Sequence, residues 1–223
     1  MGDVVTAPGS SDTITVADVV DACASLPEPV WRRIVPDHPR PRRAATLVPI
    51  VDIDGHAAVV VTKRAGSLDH GGDWVFPGGQ VDDDDASHRD AARREAAEEL
   101  GVDEHHIEVV GQLTTYGPIV SGYVIEVYVG LLDPTARLAP PPGEVAEVAV
   151  VRIAHLLDAD THRRAPANIE RRARLAEAEL LGFTPDLSDL RHYRVRDDEH
   201  LWGLQADIIF ELLRHLTGGT HDF

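Results

Sequence analysis

Three glutamates crowd into the run Arg94-Glu95-Ala96-Ala97-Glu98-Glu99-Leu100-Gly101-Val102. On a helix, at about 100° per residue, Glu95, Glu98 and Glu99 share one narrow arc. Like charges three and four apart repel by roughly a few tenths of a kcal/mol per pair. A chain that gathers them behind the Gly78-Gly79 turn and the acidic run Asp82–Asp85 looks built to hold something strongly positive. Hard divalent cations such as Mg²⁺ or Mn²⁺ take oxygen ligands of this kind. A solvated acidic helix face is the competing reading, and the glutamates alone do not separate the two.

Composition narrows the choice. The chain has 223 residues and 43% hydrophobic content, enough for one well-buried domain with additions. Its formal net charge of −17 disfavours broad contact with nucleic acid, which relies on clustered Lys and Arg. The same field repels an anionic substrate, so phosphate chemistry here would need bound cations and a few local basic residues. No apolar run is long enough to cross a membrane, and the first residues lack the basic and apolar stretches of a secretory signal. The single cysteine, Cys23, allows no internal disulfide and fits a reducing cytoplasm. It lies in an apolar helical pattern and is read as a buried small side chain.

The elements that must position the acidic stripe can be placed from pattern. Residues 1–13 are small and polar and are expected to be a disordered tail, followed by an N-terminal helical segment over 14–39 with its helix at Val16 to Leu26. Ala44 to Ile53 and His56 to Thr62 are expected strands joined by the hairpin turn Asp54-Gly55. The acidic helix should begin at a Ser87 cap with Asp90 three residues on, and end at Gly101. Ala92, Ala96 and Leu100 form its packing side. Ile107 to Thr115, Tyr123 to Leu132 and Val145 to Ile153 read as further strands, and Ala154 to Leu157 as a helical turn. A helix is expected at Glu170 to Leu181 and an amphipathic one at Leu201 to Leu216. This order predicts a mixed α+β sandwich.

The segment from Gly79 to Val102 resembles the Nudix hydrolase signature, G-x5-E-x7-R-E-U-x-E-E-x-G-U. Asp85 stands at its first acid, eight residues separate Asp85 from Arg94, and Ala96 replaces a bulkier aliphatic. The lengthened spacing with Asp is itself similar to a coenzyme A pyrophosphatase subgroup. Thr62-Lys63-Arg64, Leu68, His70, Gly72 and Phe76-Pro77-Gly78-Gly79 resemble that subgroup's second motif, with Ala65 in place of Ser and a gap before His70 one residue short. Arg42 to Ile50, Ser121-Gly122-Tyr123, Glu144 to Glu147 and Leu201-Trp202-Gly203-Leu204 also look like the subgroup, although Gln205 replaces its Thr.

The resemblance implies a Nudix α/β/α sandwich over 40–217, the C-terminal helix included, and Mg²⁺- or Mn²⁺-dependent cleavage of a nucleoside diphosphate linked to another group. Coenzyme A would give 3′,5′-ADP and 4′-phosphopantetheine. ADP-ribose, dinucleotides and nucleoside triphosphates are the rival substrates, and a regulatory domain that binds nucleotide without cleaving it is the rival role. Glu95, Glu98 and Glu99 are the expected metal ligands, with the Gly79 carbonyl beside them. Arg94 is expected to orient a carboxylate through charge-assisted hydrogen bonds. The general base is a helix glutamate or an acid such as Glu144 or Glu147. Lys63 and Arg64 are candidate phosphate contacts and His70 a ligand or loop contact. Family resemblance is also compatible with a homodimer. Replacing Glu98 by Gln, which a helix tolerates equally well, should lower turnover by several orders of magnitude and leave the circular dichroism unchanged. Near-normal turnover with Mg²⁺ or Mn²⁺ supplied would remove Glu98 from the ligand set.

Overall fold

The computed structural model describes residues 3–5, 13–32, 41–65, 72–118, 122–166 and 188–223. His70, Leu68, Ser121 and the helix expected at Glu170 to Leu181 lie outside these. The strands are β1 (Asp3–Val5), β2 (Trp31–Arg32), β3 (Arg42–Ile53), β4 (His56–Arg64), β5 (Trp74–Val75), β6 (Gly78–Gln80), β7 (Ile107–Gln112), β8 (Thr115–Tyr116), β9 (Tyr123–Leu132), β10 (Val145–Arg152), β11 (His162–Ala165), β12 (Leu190–Arg196) and β13 (Glu199–Trp202). The helices are α1 (Val16–Ala24), α2 (His88–Leu100), α3 (Ile153–Leu157) and α4 (Leu204–Leu216).

A mixed sheet runs β1-β10-β4-β3-β9-β8-β2, with β5 alongside β4, β6 alongside β3 and β7 alongside β9. Strands β3 and β9 are parallel over ten residue pairs, from Arg42 with Tyr123 to Val51 with Leu132. Strands β3 and β4 form the expected hairpin, and Asp54 and Gly55 both take positive φ, 55° and 81°. That pair of left-handed residues matches the twist of the flanking strands.

Period-2 alternation divides the sheet between two cores. On one face Ala45, Leu47, Ala58 and Val60 meet Ala91, Ala92, Ala96, Ala97 and Leu100 of α2. The alanines let the helix sit close. On the other face Val48, Ile50, Val59 and Val61 meet Val19 and Cys23 of α1 and Ile208, Ile209, Leu212 and Leu213 of α4. The result is the α/β/α layering expected. Cys23 is buried as expected, and burial pushes its thiol up to about 11. A second sheet, β11-β12-β13, packs beside the first.

Two expectations change in detail, and two strands appear where none was expected. Asp3–Val5, inside the segment expected to be disordered, lie parallel to β10. The C-terminal helix begins at Leu204 rather than Leu201, because Leu201 and Trp202 pair with Tyr193 and His192 in β13, and Gly203 turns the chain with φ 59° and ψ −132°. Strands β11 and β12 fall in a region that carried no strand expectation, where their His and Arg content hid the alternation.

Candidate active site

Helix α2 is fixed at both ends as its sequence demands. The Ser87 hydroxyl accepts from the Asp90 amide at 3.1 Å and donates to Asp90 Oδ2 at 2.7 Å. Gly101 closes the helix in the left-handed conformation, φ 64° and ψ 43°. Between these ends the alanine face is buried, which turns the glutamates toward the Gly78–Gly79 turn and solvent.

Arg94 organises the acidic cluster. Its guanidinium forms a fork on Asp85, Nε to Oδ1 and Nη2 to Oδ2 both at 2.9 Å. It donates also to Glu95 Oε1 at 3.0 Å, to Glu98 Oε2 at 3.2 Å and to the Gln80 carbonyl at 3.2 Å. Two-point carboxylate pairing of this kind fixes direction as well as distance. It holds the Asp85 carboxyl well below the usual range. Asp85, the departure from the signature, is thus the anchor that ties the lengthened loop to the helix.

The three glutamates occupy different environments. Glu98 is the most exposed, at 59% of its side chain, and faces Arg94. Glu95 is half-buried against Gly79, where any Cβ would collide with its carboxylate. Desolvation is the main reason its carboxyl is raised. Glu99 is the most desolvated, and burial pushes it up to about 7 despite hydrogen bonds from the Thr62 hydroxyl, at 3.1 Å, and the Gly78 amide. Among the described residues no three acidic, His or Cys groups converge on one point as they stand. Glu98 and Glu95 share Arg94 Nη1, while Glu99 takes the Thr62 hydroxyl.

Strand β4 separates the two basic residues that sequence reading paired. Thr62 and Arg64 share the α2 face, and Arg64 lies close enough to Glu99 to lower its pKa. Lys63 projects from the opposite face, with Nζ 3.0 Å from Glu147 Oε1 and 2.5 Å from Glu199 Oε1. Arg196 joins the same network through Glu147 and Glu199. Of the expected site residues on this face, the Lys63 ammonium faces two carboxylates, and Glu147 faces two cations. Glu144 is exposed, and its main-chain oxygen accepts from the Ala65 amide at 3.0 Å beside the end of β4.

The comparisons with known proteins agree with this fold. The NUDIX domain family matches residues 40–172, and the chain belongs to the Nudix family. It is 35% identical over 172 residues to the uncharacterised Nudix hydrolase NudL of Cronobacter sakazakii, covering 77% of this chain and 81% of that one. It is 33% identical over 181 residues to the mitochondrial Nudix hydrolase 15 of Arabidopsis thaliana, covering 78% of this chain but 58% of that longer protein. A MutT/nudix family protein from Enterococcus faecalis shares the fold at a TM-score of 0.51 and 15% identity, over 92% of this chain and 70% of that one. The protein is a Nudix hydrolase, an enzyme that cleaves diphosphate linkages.

Nudix hydrolases generally use divalent metal ions, and this chain's residues suit one. The donors are all oxygen, the hard set such ions take. Glu99 is largely desolvated, and the Thr62 hydroxyl, the Gly78 amide and the nearby Arg64 do not keep its carboxyl from being raised, which leaves charge that a cation would compensate. The space a Cβ at Gly79 would fill is taken by the Glu95 carboxylate, which brings that carboxylate against the Gly79 backbone.

Without metal, Glu99 should titrate near its value of about 7. Because this lies above the ordinary 4.5, the folded state holds the extra proton. The associated stability is complete below 4.5 and lost as pH rises through about 7. In chelator, the melting temperature of the wild type should therefore fall relative to Glu99→Gln across that window. Thr62→Val, which removes a donor to the ionised form, should raise the Glu99 titration seen by ¹³C NMR. A titration in the usual carboxylate range would contradict the burial argument.

Proposed function

We infer that the protein hydrolyses the diphosphate of coenzyme A or its derivatives, releasing 3′,5′-ADP and 4′-phosphopantetheine, with Mg²⁺ or Mn²⁺ held by Glu95, Glu98, Glu99 and the Gly79 carbonyl. The observation that carries the substrate class is the placement of Arg64 and Thr62 on the α2 face of β4, beside Glu99, in a stretch resembling the second motif of coenzyme A pyrophosphatases. A cation there suits an anionic group attached to a diphosphate held over α2. In a protein of net charge −17, such a cation is also the local correction an anionic substrate needs.

A bound divalent ion would neutralise diphosphate oxygens and lower the pKa of an attacking water. The chain's own residues do the rest. Arg94 holds Glu95 and Glu98 in direction while Asp85 holds Arg94, so the ligands are oriented before substrate arrives. Thr62 and the Gly78 amide keep Glu99 directed at the turn. The general base is the remaining role. Glu147 is engaged by Lys63 and Arg196, which leaves Glu144 as the better placed acid outside α2: it is exposed and stands where β4 ends, next to Arg64. We place it as the group that takes the proton from water.

Coenzyme A, ADP-ribose, diadenosine polyphosphates and nucleoside triphosphates, each incubated with the protein and Mg²⁺ or Mn²⁺ and resolved by product mass, test the reading. Coenzyme A should exceed the others in kcat/KM by about tenfold or more. The same preference for ADP-ribose would overturn the substrate, and binding without turnover on any of them would overturn the enzymatic role.

A further inference from the structure

The Gly78–Gly79 turn is held from a part of the chain that lies beyond the matched NUDIX region of 40–172. Residues 73–76 lead into this turn, and three side chains from residues 199–205 grip them in succession. Trp202 Nε1 donates to Asp73 Oδ1 at 3.4 Å, Trp74 Nε1 donates to Glu199 Oε2 at 2.9 Å, and the Phe76 amide donates to Gln205 Oε1 at 3.0 Å. Trp74 and Phe76 are 2% and 3% exposed, so both bonds lie at the edge of a dry core where an unmet donor is costly. On the far side, the Leu47 amide donates to the Pro77 carbonyl at 3.0 Å, and Thr46 and Ala45 pair with Gly78 and Gly79. The turn is therefore suspended between β3 and the start of α4.

We propose that Gln205 is a positioning residue for diphosphate hydrolysis: its side-chain carbonyl fixes Phe76, and through it the Gly78 amide and Gly79 backbone that face Glu99 and Glu95. One residue, Pro77, separates Phe76 from Gly78, and its fixed φ stiffens the link. A shift at Phe76 therefore reaches the Gly78 amide that bonds Glu99. Glu199 supports the same grip, since it is itself held by Lys63 and Arg196. Gln205 sits where the resemblance expected Thr, and reaching the Phe76 amide is what its longer side chain does.

The inference rests on the Nudix hydrolase assignment and is independent of coenzyme A as substrate. Its test compares Gln205→Leu, which removes the acceptor, with Gln205→Glu, whose carboxylate oxygen can still accept. In ¹⁵N-labelled Gln205→Leu, the Phe76 amide should exchange about tenfold or more faster, and the Gly78 and Gly79 resonances should move. On whichever diphosphate the wild type cleaves, kcat should fall about tenfold or more with KM within about threefold. Gln205→Glu should keep kcat within about threefold of wild type. Gln205→Met, unbranched and of similar length, takes the place of Leu should that variant fail to fold. Unchanged Phe76 exchange and kcat in the acceptor-free variant would overturn the proposal. So would an equal loss in Gln205→Glu, which damage to α4 packing alone would produce. The exchange measurement needs no substrate, so a wild type inactive on every diphosphate would defeat the functional reading while Phe76 still reported on the turn.

Discussion

A carboxylate taken out of water must be met by donors or by a cation, or it protonates. Glu99 is in that position. The Thr62 hydroxyl and the Gly78 amide meet part of its charge and Arg64 acts from further off, yet its carboxyl still sits near 7. Much of the surrounding structure is explained by keeping those few donors in place. Strand β4 must present Thr62 to α2, the alanine face must bring α2 close to the sheet, and Gly78 must lie flush against β3, where any side chain would strike Ala45 and Thr46. The Arg94–Asp85 fork then keeps the loop between turn and helix at a fixed length.

Charge is partitioned by strand alternation. Along β4 the even residues face α2 and the odd ones face the opposite layer, so adjacent cations serve different ends. Arg64 stands with the acidic helix. Lys63 binds Glu147 and Glu199, and with Arg196 it joins the second sheet to the first through an ion network packed over the Trp74 ring. Such a network contributes modest stability where it is partly solvated. Its geometric effect is larger, because Glu199 is also the acceptor for Trp74.

Local signals were the legible ones. Ser87, Gly101 and the alanine spacing announce α2 from sequence, Asp54-Gly55 announces the hairpin, and β9 follows its expected bounds from Tyr123 to Leu132. The acidic stripe was legible for the same reason, since residues three and four apart on one helix must be neighbours. What escaped was non-local. Leu201 and Trp202 continue the apolar pattern of α4, and only pairing with β12 makes them strand. The sharing of Lys63 and Arg64 between two layers was written in period-2 alternation, but the partners of Lys63 lie more than eighty residues away. Gln205 looked like an imperfect match to a motif; its bond to Phe76 spans 129 residues and has no sequence signal. Arg94 looked like a helper of one carboxylate, and its fork on Asp85 gives the unusual spacing a structural role.

Catalysis by this site depends most on one property, that the stripe on α2 captures a divalent ion. Chelator-treated protein titrated with Mn²⁺ and followed by EPR measures it directly, beside a variant carrying Gln at 95, 98 and 99. Tight binding by the wild type, weakened by about a hundredfold or more in the variant, is the expected result. Equal Mn²⁺ affinity in the two proteins, both folded, would contradict it.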